Sequence, residues 1–251
     1  MQGRIESIAV SRVGHVREHN EDAVFNDDER GLWLVADGMG GHAAGEVASQ
    51  LAVDTVVQDM IAGDDLRLAV QRAHVVIKAA ARDNPAQSGM GTTLVVVQRC
   101  RRGFRLIWSG DSRVYAWHGK GRLRQLTRDH SFVEDLIERG VLSEEEAQSH
   151  PKKNLINQAL GLVELPHLNP GESYYRPSSR GGLMLCSDGV SDMLSPGELS
   201  DILTSGSDLQ ETAAALTRAI EGTSATDNFS FVLLAHPAPG LKGLLQQWLG
   251  R

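Results

Sequence analysis

The chain has 251 residues, 41% of them hydrophobic and 23% charged, the composition of an ordinary folded domain, which excludes a disordered chain. Lys and Arg total 25 against 32 Asp and Glu, a net charge of −7, so a polyanion gains little by approaching and nucleic acid is excluded as the main partner. No run reaches the ~18 apolar residues of a membrane span and the first residues lack a signal peptide's pattern. The only two cysteines, Cys100 and Cys186, sit in apolar runs as buried thiols do. A single-domain, cytoplasmic, monomeric protein with no membrane partner is expected.

Short apolar runs at 5–10, 23–26 and 32–36, each bounded by polar residues or glycine, predict three strands. Helical spacing of apolar residues over 43–60, and again over 66–81 after a Gly-Asp-Asp break, predicts two successive helices. Runs at 91–98, 104–109, 114–117 and 123–126, separated by RRG, GDS and HGKG turns, read as one antiparallel meander. The basic CRRGFR segment within it reads as a solvated hairpin turn. From 129 to 161 the chain is polar and helix-prone, with Ser143 and Glu146 spaced as a capping box, and reads as an insertion over the sheet. A strand at 182–187, helices near 196–203 and 209–221, and a strand at 229–235 follow. The apolar tail at 241–249 reads as an amphipathic helix packed on the domain. Strands interleaved with helix pairs predict an α+β protein whose sheets are covered by helices.

Acidic residues recur where strand runs end: Asn20-Glu21-Asp22, Asp37-Gly38, Gly110-Asp111-Ser112, Ser187-Asp188-Gly189 with Asp192, and Asp227-Asn228. An isolated buried carboxylate is costly, so these acids are either exposed in turns or paired with cations. Taken singly, each reads best as a turn residue. What favours cations is Asp37-Gly38-Met39-Gly40-Gly41 directly after LWLVA, where small residues let the backbone approach a ligand. If the five segments converge, oxygen-only ligation selects Mg²⁺ or Mn²⁺ over zinc, because no His or Cys stands beside them in a metal-binding spacing. Two such ions ~3.5 to 4 Å apart can make a shared water nucleophilic, and phosphate ester hydrolysis is the natural outcome.

Three other chemistries fail on context. GMGGHA scans as a dinucleotide fingerprint, but the helix after it is followed by another helix, and Asp37 would repel a pyrophosphate. A cysteine phosphatase needs Arg six positions after its Cys, where this chain has Leu106 and Asp192. No phosphate-binding P-loop motif occurs.

The strings GHVREHNED, VADGMGGH, GTT, SGDSRVY, DHS, HP with NLINQALG, CSDGVSD and TDNFS, in this order, resemble the bacterial branch of the PPM family of metal-dependent Ser/Thr protein phosphatases, the protein phosphatase 2C type. Only the tail after about residue 237 lies outside the resemblance. It implies a four-layer α-β-β-α sandwich, two antiparallel sheets flanked by helix pairs, with two Mn²⁺ or Mg²⁺ ions in a cleft at one end. By the same resemblance Asp37 would bridge the ions, Asp188 and Asp227 would complete the first site, and Glu21, Asp22 and the Gly38 carbonyl would serve the second, partly through water. Asp111 and Asp192, sharing Asp188, match the ligands of a third, weaker ion. Arg17 matches the arginine that grips the substrate phosphate, a role suited to a planar guanidinium.

A water held between the ions would attack phosphorus in line with the leaving Ser or Thr oxygen, with no phosphoenzyme. Animal relatives place a His directly after the Asp-Gly pair as the acid; here that position is Met39 and the nearest imidazole is His42, which reads equally well as an acid or as a helix-start packing residue. Thr92, Thr93, Ser112 and Arg113 are expected to support and shape the site. Residues 129–161 correspond to the flap beside the cleft. The implied partners are phosphorylated protein substrates and an opposing Ser/Thr kinase. The alternative is a catalytically inactive relative that binds phosphoproteins or regulates a kinase; the complete carboxylate set weighs against it.

Overall fold

Residues 5–40, 44–118, 122–177 and 181–236 are described by the computed structural model. Side chains alternate across a strand, so a strand packed on both faces has no polar side and reads as an unbroken apolar run. That is the state of β3 (Leu32–Met39), β5 (Leu94–Cys100), β10 (Gly181–Cys186) and β11 (Phe229–His236), the source of LWLVA, LVVV, LMLC and FVLL. One sheet runs β1 (Glu6–Arg12), β11, β10, β7 (Arg113–His118), β8 (Arg122–Gln125); the other runs β2 (Asp22–Asp27), β3, β5, β6 (Gly103–Ser109), β9 (Gly171–Tyr175), with the short β4 (Gly91–Thr92) on β3. All pairings are antiparallel.

The inner faces share one core in which Trp33, Val35, Val95 and Leu106 meet Val114, Leu183, Leu185 and Val232. The outer face of the β3 sheet, with Leu32, Leu34 and Ala36, is covered by α1 (Ala44–Ala62) and α2 (Leu66–Asp83) through Ala48, Ala52, Val70 and Ile77. On the opposite side Tyr115, Met184, Phe231 and Leu233 meet α6 (Pro196–Ser205) and α7 (Leu209–Glu221) through Leu199, Leu203, Leu216 and Ile220. The result is the α-β-β-α layering that the family resemblance implies.

The expected meander is not one sheet. Its first two strands, β5 and β6, belong to one layer, whereas β7 and β8 belong to the other. Between them the chain crosses at Gly110, where φ is +101° and an added Cβ would lie 2.7 Å from Thr93 Cγ2. Alternation reports a strand's two faces but not the sheet it joins. Strand β9 has no counterpart in the sequence reading, because GESYY is a short, largely polar edge strand without an apolar run. Between residues 129 and 161 lie α3 (Phe132–Glu138) and α4 (Glu144–Gln148), the latter opened by a reciprocal Ser143–Glu146 capping box. This segment is fastened at its base by bridges pairing Ser131 with Ile156 and Thr92 with Leu160. The tail at 241–249 lies outside the described residues. Among the described residues no helix is long and apolar enough to cross a membrane.

Candidate metal centre

Antiparallel register sets Asp22, the first residue of β2, directly opposite Asp37 near the end of β3. Asp188 opens the short helix α5 (Asp188–Ser191) just beyond β10, Asp227 stands two residues before β11, and Asp111 lies in the crossing from β6 to β7. Both sheets therefore deliver carboxylates to the same end of the sandwich. The charges there feel one another. Burial pushes Asp22 up to about 7 from the usual carboxylate range, with Asp188 and Asp227 adding to it and the Ser230 and Ser187 hydroxyls opposing. Burial likewise takes Asp111 to about 7, reinforced by Asp188 and Asp129. Asp37 is held well above the ordinary range by burial first and then by Asp22, Asp188 and Asp111. Asp188 is raised by burial, against a hydrogen bond from Asp37 that lowers it.

The backbone of Asp37 is pinned from β4 and the start of β5. Its N–H donates to Thr93 Oγ1 at 3.1 Å, and its carbonyl accepts from Thr93 N at 2.8 Å and Thr92 Oγ1 at 2.9 Å. Thr93 Oγ1 also meets Ser112 Oγ at 2.7 Å, tying this grip to the β6–β7 crossing that carries Asp111. Ser187 Oγ donates to Asp22 Oδ2 at 2.9 Å. The Glu21 N–H donates to Asn228 Oδ1 at 2.8 Å, while Asn228 Nδ2 donates to the carbonyls of Val13 and His19 at 2.8 and 2.9 Å. One amide thus holds the loop of Glu21 against the strand start that follows Asp227.

Glycines make the close approach possible. A Cβ on Gly38 would lie 2.1 Å from the Gly45 carbonyl oxygen, and one on Gly45 would lie 2.6 Å from Glu21 Oε1. Burial raises Glu21, opposed by Arg17 and by the Gly45 backbone N–H. At the rim Arg17 Nη2 donates to Asp227 Oδ2 at 2.8 Å, their side chains 48% and 40% exposed. Asp192 is also at the rim and faces residues 129–161, where Lys153 Nζ and Asn154 Nδ2 reach Asp192 Oδ2 at 3.3 and 3.4 Å. His42 lies outside the described residues.

The sequence reading missed the supporting parts: Gly45, the clamp made by Asn228, the Ser187 hydroxyl, and the partner of Arg113. That partner is Asp129, gripped by Nε at 3.0 Å to each oxygen and by Nη2 at 2.6 Å. The pair is largely buried, so losing either member would strand a charge at a cost of about 3–5 kcal/mol. Asp129 opens the DHS string, which was its only sequence signal.

Among the described residues no three His, Cys, Asp or Glu side chains stand ready-made around a metal ion. Asp227 and Asp22 already accept from Arg17 and Ser187, and Asp37 is hydrogen-bonded to Asp188. The donor set nonetheless suits a hard divalent cation. Every group is an oxygen, and the buried atoms Glu21 Oε1 and Asp22 Oδ1 have no hydrogen-bond partner.

This fold and this carboxylate cluster define a class, and the comparisons agree with it: a profile of the protein phosphatase 2C family matches residues 14–228. The chain belongs to that family. It is 35% identical over 234 residues to the serine/threonine phosphatase Stp of Listeria welshimeri, covering 88% of this chain and 92% of that protein. The crystal structure of the Mycobacterium tuberculosis serine/threonine phosphatase PstP/Ppp matches with a TM-score of 0.83 at 34% identity, over 93% of this chain and 99% of the other. The catalytic domain of the serine/threonine protein phosphatase PstP, in complex with two manganese ions, matches with a TM-score of 0.81 at 32% identity, over 93% and 98% of the two chains.

Proposed function

We propose that this protein is a metal-dependent phosphatase that removes phosphate from phosphoserine and phosphothreonine in other proteins. The observation that carries the reading is the convergence of Asp22, Asp37, Asp111 and Asp188, all raised by burial and mutual repulsion, at one end of a protein phosphatase 2C fold. We assign Asp37 as the bridge between two ions, Asp188 and Asp227 to the first, and Glu21, Asp22 and the Gly38 carbonyl to the second. Asp111 and Asp192, with Asp188, are assigned to a third and weaker ion. Mn²⁺ and Mg²⁺ both suit these oxygen donors, and manganese is supported by the PstP structure with two such ions. When bound, such cations neutralise the charge of the phosphate and activate a water.

The chain's own groups do the positioning. Thr92 and Thr93 lock the Asp37 backbone, Ser187 orients Asp22, and Asn228 fixes the segment of Glu21. Arg17 uses one N–H on Asp227, leaving donors of its planar fork for two phosphate oxygens at the mouth. Met39 carries no proton for the leaving oxygen, and His42 is the nearest imidazole in sequence for that task. The flap at 129–161 reaches Asp192 through Lys153 and Asn154, and so adjoins the region where a protein substrate would lie. The protein is read as a cytoplasmic monomer opposing a Ser/Thr kinase that acts on the same substrates.

Hydrolysis of an aryl phosphate and of a phosphothreonine peptide tests this directly. Phosphate release with Mn²⁺, its loss on adding a chelator and its return with excess Mn²⁺ are expected. No metal-dependent release at any pH from 6 to 9 would favour the inactive, phosphoprotein-binding relative instead.

A further inference from the structure

At the opposite end of the β2–β9 sheet, three arginines gather around one crevice. Cys100 pairs with Gly103, so Arg101 and Arg102 form the tip of the β5–β6 hairpin. Gly103 has φ of +142°, and a Cβ there would lie 2.2 Å from the Tyr175 carbonyl oxygen. This close approach brings the end of β9, and with it Arg176, beside the tip. The crevice holds about 400 Å³ and is lined by Cys100, Arg101, Arg102, Tyr174, Tyr175 and Arg176 among others. Its floor is aromatic: Phe104 stacks on Tyr175 with ring centres 6.4 Å apart, and the Arg124 guanidinium lies 5.8 Å from the Tyr175 ring centre. Tyr174 is 62% exposed beside it.

Arg101, Arg102 and Arg176 have no carboxylate partner among the described residues, whereas neighbouring Arg105 is committed to Asp65 at 2.7 Å and Glu172 at 2.8 Å. The turn does not require arginine, since only Gly103 of its residues has positive φ. Three guanidiniums around an aromatic-floored crevice match an anion presented on a polypeptide. They do so in a chain whose net charge is −7.

We propose that this crevice docks an acidic segment of the protein substrate, a run of Asp and Glu or further phosphorylated residues, while the phosphoresidue to be cleaved occupies the carboxylate end. The proposal rests on the phosphatase reading and specifies the substrates it favours. β6 runs from the crevice to the crossing that carries Asp111, and its seven residues span about 20 Å. An extended peptide therefore needs at least about six residues between the two anchors. Shorter spacers should gain nothing.

Two measurements test this with the full chain loaded with Mn²⁺. The first compares kcat/KM for an aryl phosphate, a short neutral phosphothreonine peptide, and the same peptide carrying an acidic tract ten residues away, at low and high salt. The second follows fluorescence anisotropy of a labelled acidic peptide that lacks phosphate. In the wild type at low salt the acidic tract should lower KM about tenfold. The triple substitution Arg101→Gln, Arg102→Gln, Arg176→Gln, and its Glu counterpart, should abolish that advantage and the anisotropy change while leaving aryl phosphate turnover intact. An acidic tract that confers no advantage, or one the variants retain, overturns the docking site. Loss of aryl phosphate turnover in the wild type would instead overturn the phosphatase reading, with anisotropy still reporting on the crevice.

Discussion

Replacing Asp37 by Asn is expected to cut Mn²⁺-dependent turnover of an aryl phosphate by about 10³-fold or more, with the fold preserved. Both halves of that outcome follow from the same surroundings. Asn keeps the size of Asp and leaves the main-chain bonds to Thr92 and Thr93 in place. What it removes is the charge that burial, Asp22, Asp188 and Asp111 all disfavour. Without metal, the variant should therefore melt at or above the wild-type temperature at pH 8. With Mn²⁺ it should gain far less than the wild type, because an amide is a weaker partner than a carboxylate for a hard dication. Such a split between stability and activity marks a residue kept for function. A variant retaining more than a tenth of wild-type kcat would remove Asp37 from the centre of the chemistry.

The second large effect concerns pH in the metal-free protein. Asp22 and Asp111, each raised to about 7, hold protons more tightly folded than unfolded. The stability they contribute is complete below about pH 4, the unfolded carboxylate value, and is lost as pH rises through about 7. Chelated protein should thus lose on the order of several kcal/mol between pH 4 and 8 relative to the Asp22→Asn, Asp111→Asn double variant. Saturating Mn²⁺ should reverse the trend, because the cations take the deprotonated form and their binding releases protons. Thermal melts from pH 5 to 8, with and without Mn²⁺, and calorimetric titrations in buffers of different ionisation enthalpy measure this. A flat melting temperature without metal, or Mn²⁺ binding with no proton release, would contradict it.

Much of the architecture was legible because central strands and amphipathic helices leave long signals. LWLVA, LMLC and FVLL announce strands buried on both faces, and the helix expected at 209–221 is α7, Leu209–Glu221. What stayed hidden depended on pairing rather than on pattern. Nothing local tells β6 and β7 that they join different sheets, and the polar edge strand β9 is specified by its partner β6. The carboxylates could be named from their motifs, but their supports could not. Asn228 acts on Glu21 across 207 residues of chain and Ser187 on Asp22 across 165, so neither role has a short-range signature. Arg101 and Arg102 read as an ordinary solvated turn until Gly103 is seen to bring Arg176 alongside them.

The most direct measurement is an anomalous difference map recorded at the manganese edge from crystals grown with Mn²⁺. Two strong peaks are expected at the end of the sandwich that carries Asp22, Asp37, Asp188 and Asp227, and neither should survive in Asp37→Asn crystals at full height. Manganese found only at surface acids such as Glu144 or Asp54, and none beside those four residues, would contradict the metal centre on which the phosphatase reading stands.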